Sequence, residues 1–176
     1  SMPRGQSSRQ SSSSASCVDL GVLALGSHRE RHGILPEDLD AKLASYVALQ
    51  ASLRTGAKFL GTVLSSHELP GINTGSHQSK KQVLREIRCR LKEAKSLLGI
   101  KGVVIVNGHG GNSPLSAEIL RLGEELGLRM EWDSTIVQGP HAGPQEYSMA
   151  CALGLVDAGQ VKEHLKHPEV GFQGMP

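Results

Sequence analysis

Residues 102–112 read GVVIVNGHGGN, and the fold can be inferred outward from this segment. Its first half is a run of β-branched residues, which is typical of a strand buried on both faces of a parallel sheet. Its second half places His109 among glycines directly where that strand ends. Ligands of open parallel sheets bind beyond the carboxyl ends of the strands. The segment therefore predicts a central strand with a candidate functional histidine at its rim.

Strand and helix patterns alternate on both sides of this segment. We predict strands over 18–25, 58–64 and 128–137, and helices over 40–54, 79–98, from Ser113 to about Gly127, and from Pro144 onward. Glycines follow the last turns of the first three helices, and the first two helices carry apolar residues at four-residue spacing. The alternation predicts an α/β protein with a mostly parallel sheet between two helix layers, a three-layer α/β/α architecture.

Composition excludes several classes of function. The chain has 176 residues, with 19 Lys and Arg against 17 Asp and Glu, and aromatic residues make up 3%. The nearly balanced charge would not attract nucleic acid, and so few aromatic side chains would not stack on its bases. No apolar run reaches the length of a membrane span, and the three cysteines include no CxxC pair, which favours a reducing compartment. We expect a cytoplasmic protein with no nucleic-acid or membrane partner.

The first residues differ in composition from the rest of the chain. They are rich in Ser, Arg and Gln, and the opening Ser-Met is typical of a scar left by tag removal. We expect residues 1–17 to form a disordered tail and residues 18–176 to form the folded domain.

Polar clusters follow the predicted strands, and the first contains candidate metal ligands. Glu30 and His32 are two residues apart, so both side chains of an extended segment point to one face. Asp40 lies near the start of the next helix, within reach of that pair. Mixed imidazole and carboxylate donors suit Fe, Zn or Mn, held as one ion or two neighbouring ions. Spacing alone also fits a solvated Glu30 and an Asp40 that stabilises the helix terminus.

The clusters after the third and fourth strands add further candidates. His109 is either a loop histidine in a glycine turn or a ligand with room around it for a close approach. Glu146 falls in the first turn of the helix that Pro144 starts, where it either caps the helix or binds a metal. His141 lies on the preceding loop, where it can carry a proton. For His67 and His77 we expect ordinary surface roles.

Four motifs in sequence resemble those of a known family. They are Gly26-Ser27-x-x-Glu30-x-His32-Gly33, Leu35-Pro36-x-x-x-Asp40, Asn107-Gly108-His109-Gly110-Gly111-Asn112, and His141-Ala142-Gly143-x-x-Glu146. Together they resemble the creatininase (creatinine amidohydrolase) family from about Leu20 to the C-terminus. The resemblance implies a metal-dependent amidohydrolase, a three-layer α/β/α core and a homo-oligomer.

The resemblance also implies roles for individual residues. Two divalent ions bind per chain, with Fe(II) expected ahead of Zn(II) or Mn(II). Asp40 bridges the two ions, Glu30 binds one and His32 binds the other. The remaining implied roles are metal ligation by His109 and Glu146, catalysis by His141, and contact with the substrate or its oxyanion by Gly110, Gly111 and Asn112.

Within the family, the chain is most similar to an archaeal branch. That branch removes the formyl group of 2-amino-5-formylamino-6-ribosylaminopyrimidin-4(3H)-one 5'-monophosphate, a small pyrimidine nucleotide, towards riboflavin and deazaflavin. The residues that carry the similarity are 23–27, 40–44, 55–61 and 168–172. The alternatives are hydrolysis of another amide, such as cyclic creatinine, and a metal-binding scaffold without catalysis.

The chain departs from the family pattern at three places. It is one residue shorter between His32-Gly33 and Leu35-Pro36, and Leu39 stands where a Thr usually precedes the bridging Asp. The resemblance further implies that the domain continues beyond Pro176. The first two departures both bear on the position of Asp40 relative to the other ligands.

Overall fold

The computed structural model describes residues 16–171. Of the tail predicted over residues 1–17, residues 1–15 lie outside this range. The strands in this range are β1 (Leu20–Leu25), β2 (Lys58–Val63), β3 (Gly102–Asn107) and β4 (Arg129–Asp133). The helices are α1 (Leu39–Thr55), α2 (Lys80–Leu98), α3 (Ser116–Leu126), α4 (Pro144–Ala152) and α5 (Val161–His164). Across the described residues, no helix is both long and apolar enough to cross a membrane.

All strand pairs are parallel, in the order β2-β1-β3-β4. Helices α2 and α3 cover one face over a core formed by Leu23, Leu25, Val63, Val83, Ile87, Leu91, Ile105, Ile119 and others. Helix α1 covers the opposite face, where Ala44 and Ala48 let it approach Val22 and Ala24 closely. Helix α4 packs against α1 through Leu39, Leu43, Tyr147 and Ala150. The predicted three-layer α/β/α fold is confirmed.

Most helices begin or end at the glycine and proline residues from which their ends were predicted. Gly56, Gly99 and Gly127 each adopt positive φ directly after a helix, and Pro144 starts α4 as predicted. The helix predicted from Ser113 begins later, because residues 110–115 form a 3₁₀ turn before α3.

Strand β4 is also shorter than predicted. It ends at Asp133, because the carboxylate Oδ1 of Asp133 accepts hydrogen bonds from both the N–H and the hydroxyl of Thr135. Such a side-chain bond to a residue two positions on favours a turn over a continued strand.

Two glycines bring α1 against the carboxyl ends of the central strands. A Cβ at Gly26 would overlap the backbone of Ala41, and a Cβ at Gly108 would lie 2.5 Å from the carbonyl oxygen of Asp40. The loops after β1 and β3 therefore contact the first turn of α1 directly. This close approach places the Asp40 side chain, 2% exposed, at the carboxyl edge of the sheet.

Candidate metal centre

The segment after β1 supplies two buried polar side chains. Glu30 and His32 are buried, whereas Arg29 and Arg31 are exposed, which confirms the alternation predicted for an extended segment. Isolated antiparallel bridges from Glu30 to Gly75 and from His32 to Leu35 hold this segment in place.

Asp40 lies between two histidines from different loops. Its Oδ1 atom is 3.1 Å from His32 Nε2, and its Oδ2 atom is 2.9 Å from His109 Nδ1. One carboxylate oxygen therefore faces each ring. The shortened loop before α1 does not remove Asp40 from the cluster.

The remaining ring nitrogens of both histidines contact backbone carbonyl groups. His32 Nδ1 lies 2.9 Å from the Glu30 carbonyl oxygen, and His109 Nε2 lies 2.9 Å from the His67 carbonyl oxygen. Because a carbonyl oxygen accepts, these nitrogens carry the protons that they donate. In the neutral rings the lone pairs then lie on the nitrogens facing Asp40, where a metal ion would take the place of a second proton. Such backbone bonds fix the orientation of metal-ligating histidines.

Glu30 contributes an acceptor without a donor. Its Oε1 accepts from the Thr74 hydroxyl at 3.2 Å, whereas the buried Oε2 has no hydrogen-bond partner among residues 16–171. That oxygen lies 2.8 Å from His109 Nδ1 and 3.8 Å from His32 Nε2. A buried carboxylate oxygen left unpaired beside ring nitrogens is a position suited to a cation.

The loop after β4 brings two more of the predicted residues to the same place. His141 Nε2 donates to the Arg31 carbonyl oxygen at 2.5 Å, and its Nδ1 lies 3.5 Å from Glu30 Oε1. Glu146, in the first turn of α4, accepts from the Ala142 N–H at 2.5 Å. The ring centroids of His141 and His32 are 4.7 Å apart.

Gly110, Gly111 and Asn112 occupy different environments. Gly110 and Gly111 line the pocket beside His109. The Asn112 side chain is fully buried and accepts from the His67 N–H at 2.9 Å. Asn112 thus ties the loop after β2 to the loop after β3, and its place in the structure is that of a positioning residue.

The loop after β2 adds Glu68 and His77, which were not among the predicted site residues. His77 stacks on His109 with ring centroids 5.2 Å apart, and its Nε2 lies 3.4 Å from Glu68 Oε2. Its side chain is 9% exposed, so His77 is more buried than an ordinary surface role implies. The available signal was that the sequence Ser-His-Glu directly follows a predicted strand, as the other polar clusters do.

The carboxylates titrate differently according to their neighbours. Burial and the nearby charge of Asp40 raise the pKa of Glu30 and that of Glu146 to about 7. Burial acts in the same direction on Asp40, but His32 and His109 outweigh it and hold the pKa of Asp40 well below its ordinary value.

The histidines divide into two groups. Burial opposes their charged forms, but Asp40 and Glu30 outweigh it, raising the pKa of His32 to about 10 and that of His109 well above its ordinary value. Burial and the neighbouring charge of His32 lower the pKa of His141, and burial and the charge of His109 lower that of His77.

The donor set fits divalent cations. Three groups of side chains share members, and within each group one ligand atom per residue lies within 4.8 Å of the others. The groups are Glu30 with Glu68, His77 and His109; Glu30 with His32 and His141; and His32 with Asp40 and Glu146. Imidazole and carboxylate donors in this proportion are typical of Zn, Fe and Mn sites. The unpaired Glu30 oxygen supports the same interpretation.

Fold and site define the class: an α/β protein with a candidate divalent-metal centre at the carboxyl edge of its sheet. The family model described as creatininase, creatinine amidohydrolase, matches residues 7–173. The chain belongs to the creatininase family.

Two curated relatives carry the same name, 2-amino-5-formylamino-6-ribosylaminopyrimidin-4(3H)-one 5'-monophosphate deformylase. The protein of Methanobrevibacter ruminantium is 48% identical over 159 residues, covering 89% of this chain and 68% of that protein. The protein of Methanothermobacter thermautotrophicus is 46% identical over 162 residues, covering 89% and 69% respectively.

Solved structures share the fold at lower identity. A creatinine amidohydrolase (creatininase) superposes with a TM-score of 0.67 at 21% identity, over 78% of this chain and 66% of that chain. A creatininase variant described as Zn-Zn type has a TM-score of 0.64 at 19% identity, over 79% and 67%. A creatininase described as Mn has a TM-score of 0.61 at 19% identity, over 79% and 68%. The chain thus spans about two thirds of the length of these proteins.

Proposed function

We propose that this protein is a metal-dependent amidohydrolase that removes the formyl group from 2-amino-5-formylamino-6-ribosylaminopyrimidin-4(3H)-one 5'-monophosphate. The observation that carries the proposal is the buried His32–Asp40–His109 arrangement with an unpaired Glu30 oxygen beside it. The substrate follows from relatives of that name at up to 48% identity. The products are formate and a diaminopyrimidine nucleotide, towards riboflavin and deazaflavin cofactors.

Two divalent ions would be held on either side of Asp40. Glu30, His109 and Asp40 would hold one ion, and His32, Glu146 and Asp40 would hold the other. We expect Fe(II) first and Zn(II) or Mn(II) as alternatives, and the solved Zn-Zn and Mn creatininases support a divalent site. When bound, such ions polarise a carbonyl group and make a water molecule more acidic.

His141 is the proton carrier in this proposal. Its lowered pKa keeps it neutral at pH 7, and its Nε2 proton is held by the Arg31 carbonyl oxygen. Nδ1 therefore carries the lone pair and takes a proton from the attacking water. As the C–N bond breaks, that proton passes to the departing amine nitrogen, and the water oxygen stays with formate. Such proton transfer contributes about 10² to 10⁴ in rate.

The glycine turn after β3 leaves backbone groups next to the reacting carbon. Gly110 and Gly111 line the pocket, and we assign their N–H groups to the oxygen of the tetrahedral intermediate. A Cβ at Gly111 would overlap the His67 carbonyl oxygen and lie 2.5 Å from His109 Nε2. Asn112 holds the loop that carries that carbonyl group.

The deciding experiment is hydrolysis by protein purified anaerobically, stripped of metal and reloaded with Fe(II), Mn(II) or Zn(II). We expect formate release from the formylaminopyrimidine nucleotide with at least one of these ions. Creatine formed from creatinine without any formate would favour the other amide. Bound metal without hydrolysis of either amide would favour the scaffold. Sedimentation of the same sample tests the homo-oligomer that the family resemblance leads us to propose.

A further inference from the structure

The loop between β2 and α2, residues 64–79, brings a carboxylate and an imidazole to the metal centre. The mechanism above gives neither of these two side chains a role. They belong to Glu68 and His77, whose side chains are 10% and 9% exposed. Both come from a different loop than any of the predicted metal ligands. Their burial calls for partners, because a buried charge is costly unless it is paired.

His77 has one nitrogen held and one free. Its Nδ1 lies 3.0 Å from Ser66 Oγ, and its buried Nε2 has no hydrogen-bond partner within the part of the chain that the structure describes. That free nitrogen lies 3.4 Å from Glu68 Oε2. Near-parallel stacking on His109, at an interplanar angle of 10°, fixes the orientation of the ring. His77 therefore presents an unpaired nitrogen to the cluster from a fixed position.

Glu68 and Glu30 share a single hydroxyl group as hydrogen-bond donor. The Thr74 hydroxyl lies 3.3 Å from Glu68 Oε2 and 3.2 Å from Glu30 Oε1. A hydroxyl has a single hydrogen and can donate to one acceptor at a time. Glu68 Oε1 accepts from the Leu69 N–H at 2.8 Å, so the shared hydroxyl matters for Glu68 Oε2. His109 Nε2, 3.6 Å from Glu68 Oε2, already donates to the His67 carbonyl oxygen.

A glycine makes the space for this arrangement. A Cβ at Gly111 would lie 2.7 Å from Glu68 Oε1, and the same Cβ would lie 2.5 Å from His109 Nε2. A side chain at this position would displace the Glu68 carboxylate from His109. The glycine in the loop after β3 therefore has a steric role towards the loop after β2.

We propose that Glu68 and His77 are metal ligands, completing with Glu30 and His109 the binding site of one divalent cation. One ligand atom from each of these four residues lies within 4.8 Å of the others. Two imidazoles and two carboxylates suit Zn(II), Fe(II) or Mn(II). The inference rests on the metal dependence proposed above and deepens it, by giving the ion on the His109 side ligands from a third loop.

Metal titration of the stripped protein tests this assignment without any substrate. Glu68→Gln and His77→Gln each replace the proposed ligand by a polar side chain, and His28→Gln, the control, changes a ring that contacts the Leu64 carbonyl oxygen. We expect Zn(II) or Mn(II) binding at one of two sites to weaken about tenfold or more in the first two variants and to stay unchanged in the third. Wild-type stoichiometry and affinity in both Glu68→Gln and His77→Gln would overturn the inference.

A second measurement uses the wild-type chain and does not depend on the folding of a variant. In crystals loaded with Zn(II), we expect an anomalous peak about 2.0 to 2.2 Å from a Glu68 oxygen and a His77 nitrogen. Peaks confined to the Asp40 and His32 side would overturn the inference, and absence of any ion would overturn the metal dependence with it. An ion bound by Glu68 and His77 without formate release would sustain the inference and contradict only the proposed substrate.

Discussion

The centre is built from two halves that the fold supports very differently. The core half consists of Asp40 and His109: Asp40 lies in the first turn of α1, and His109 lies two residues after the end of β3. Gly108 packs on the Asp40 carbonyl group, so neither side chain can move without disturbing the strand edge. The loop half consists of His141 and Glu146, which reach the same place from the segment after β4.

The loop half is held by contacts with the C-terminal segment. His164 accepts from the Ile34 N–H at 3.3 Å through Nδ1 and donates to the Ala142 carbonyl oxygen at 2.7 Å through Nε2. The Gly171 N–H donates to the His141 carbonyl oxygen at 2.8 Å. These polar bonds over a long sequence separation position the His141 loop, whereas the packing of α4 on α1 supports Glu146. The two halves should therefore respond separately to substitution.

The largest effect is expected from Asp40→Asn in the core half. Because one carboxylate oxygen faces each histidine, the loss of its charge weakens both cation positions, and we expect activity to fall to the background rate. Metal analysis and formate release measure the two losses. Asp38→Asn, which removes an exposed ion pair with Lys42 at 3.0 Å, is the matched control and should retain both properties.

His141→Gln separates proton transfer from metal binding. We expect about 10² to 10⁴ lower turnover with the metal content unchanged, because the remaining donors of both ions are intact. His167→Gln, which alters a more exposed histidine of the C-terminal segment, serves as control. Near-full turnover in His141→Gln would remove His141 from the mechanism and leave the loop half with metal binding alone.

The sequence predicted the core half better than the rest of the centre. The hydrophobic pattern and the glycines located the strands. Because the carboxyl ends of parallel strands lie at one edge of the sheet, the position of His109 could be predicted from the sequence alone. Glu30 and His32 followed from alternation along a short extended segment. Their roles as ligands remain predictions, but their convergence on Asp40 is what the structure shows.

The remaining features depend on tertiary contacts that have no local signal. Glu68 and His77 are nine residues apart on an irregular loop, and neither period nor capping indicates that they meet. The sequence predicts a helix cap at residue 113, because serine followed by proline is typical of a helix start. In the structure, this serine and proline belong to the 3₁₀ turn over 110–115, and α3 begins after it.

His164→Ala tests whether the loop half is held independently. It removes the two bonds through which His164 links Ile34 to Ala142, and leaves the direct bond from His141 to the Arg31 carbonyl oxygen. We expect about tenfold weaker binding at the His32 and Glu146 position. The Glu30 and His109 position should keep its affinity in a two-site calorimetric titration. Glu163→Gln, which removes an exposed pair with Lys166, is the control. Equal weakening of both positions would show that the halves are coupled.

The smallest effect is expected from Glu169→Gln, which changes one bond between the C-terminal segment and the His32 loop. The Glu169 carboxylate accepts from the Gly33 N–H at 3.1 Å, and its replacement should cost about 1 kcal/mol of unfolding free energy. Although burial acts in the opposite direction, backbone N–H groups and the charges of His167 and Arg31 hold the pKa of Glu169 below its ordinary value of 4.5.

This direction fixes the sign of a pH effect. A carboxyl group whose pKa is lower in the folded chain than in the unfolded chain stabilises the fold above the unfolded value, and the stabilisation is lost as pH falls through the folded value. Thermal melts should therefore show that the wild type loses more stability than Glu169→Gln on going from pH 6 to pH 3, a range that extends well below the ordinary value of 4.5. The difference should be about 2 to 4 °C in Tm for each kcal/mol. Parallel pH curves would mean that the ionisation of Glu169 contributes nothing to the stability of the fold.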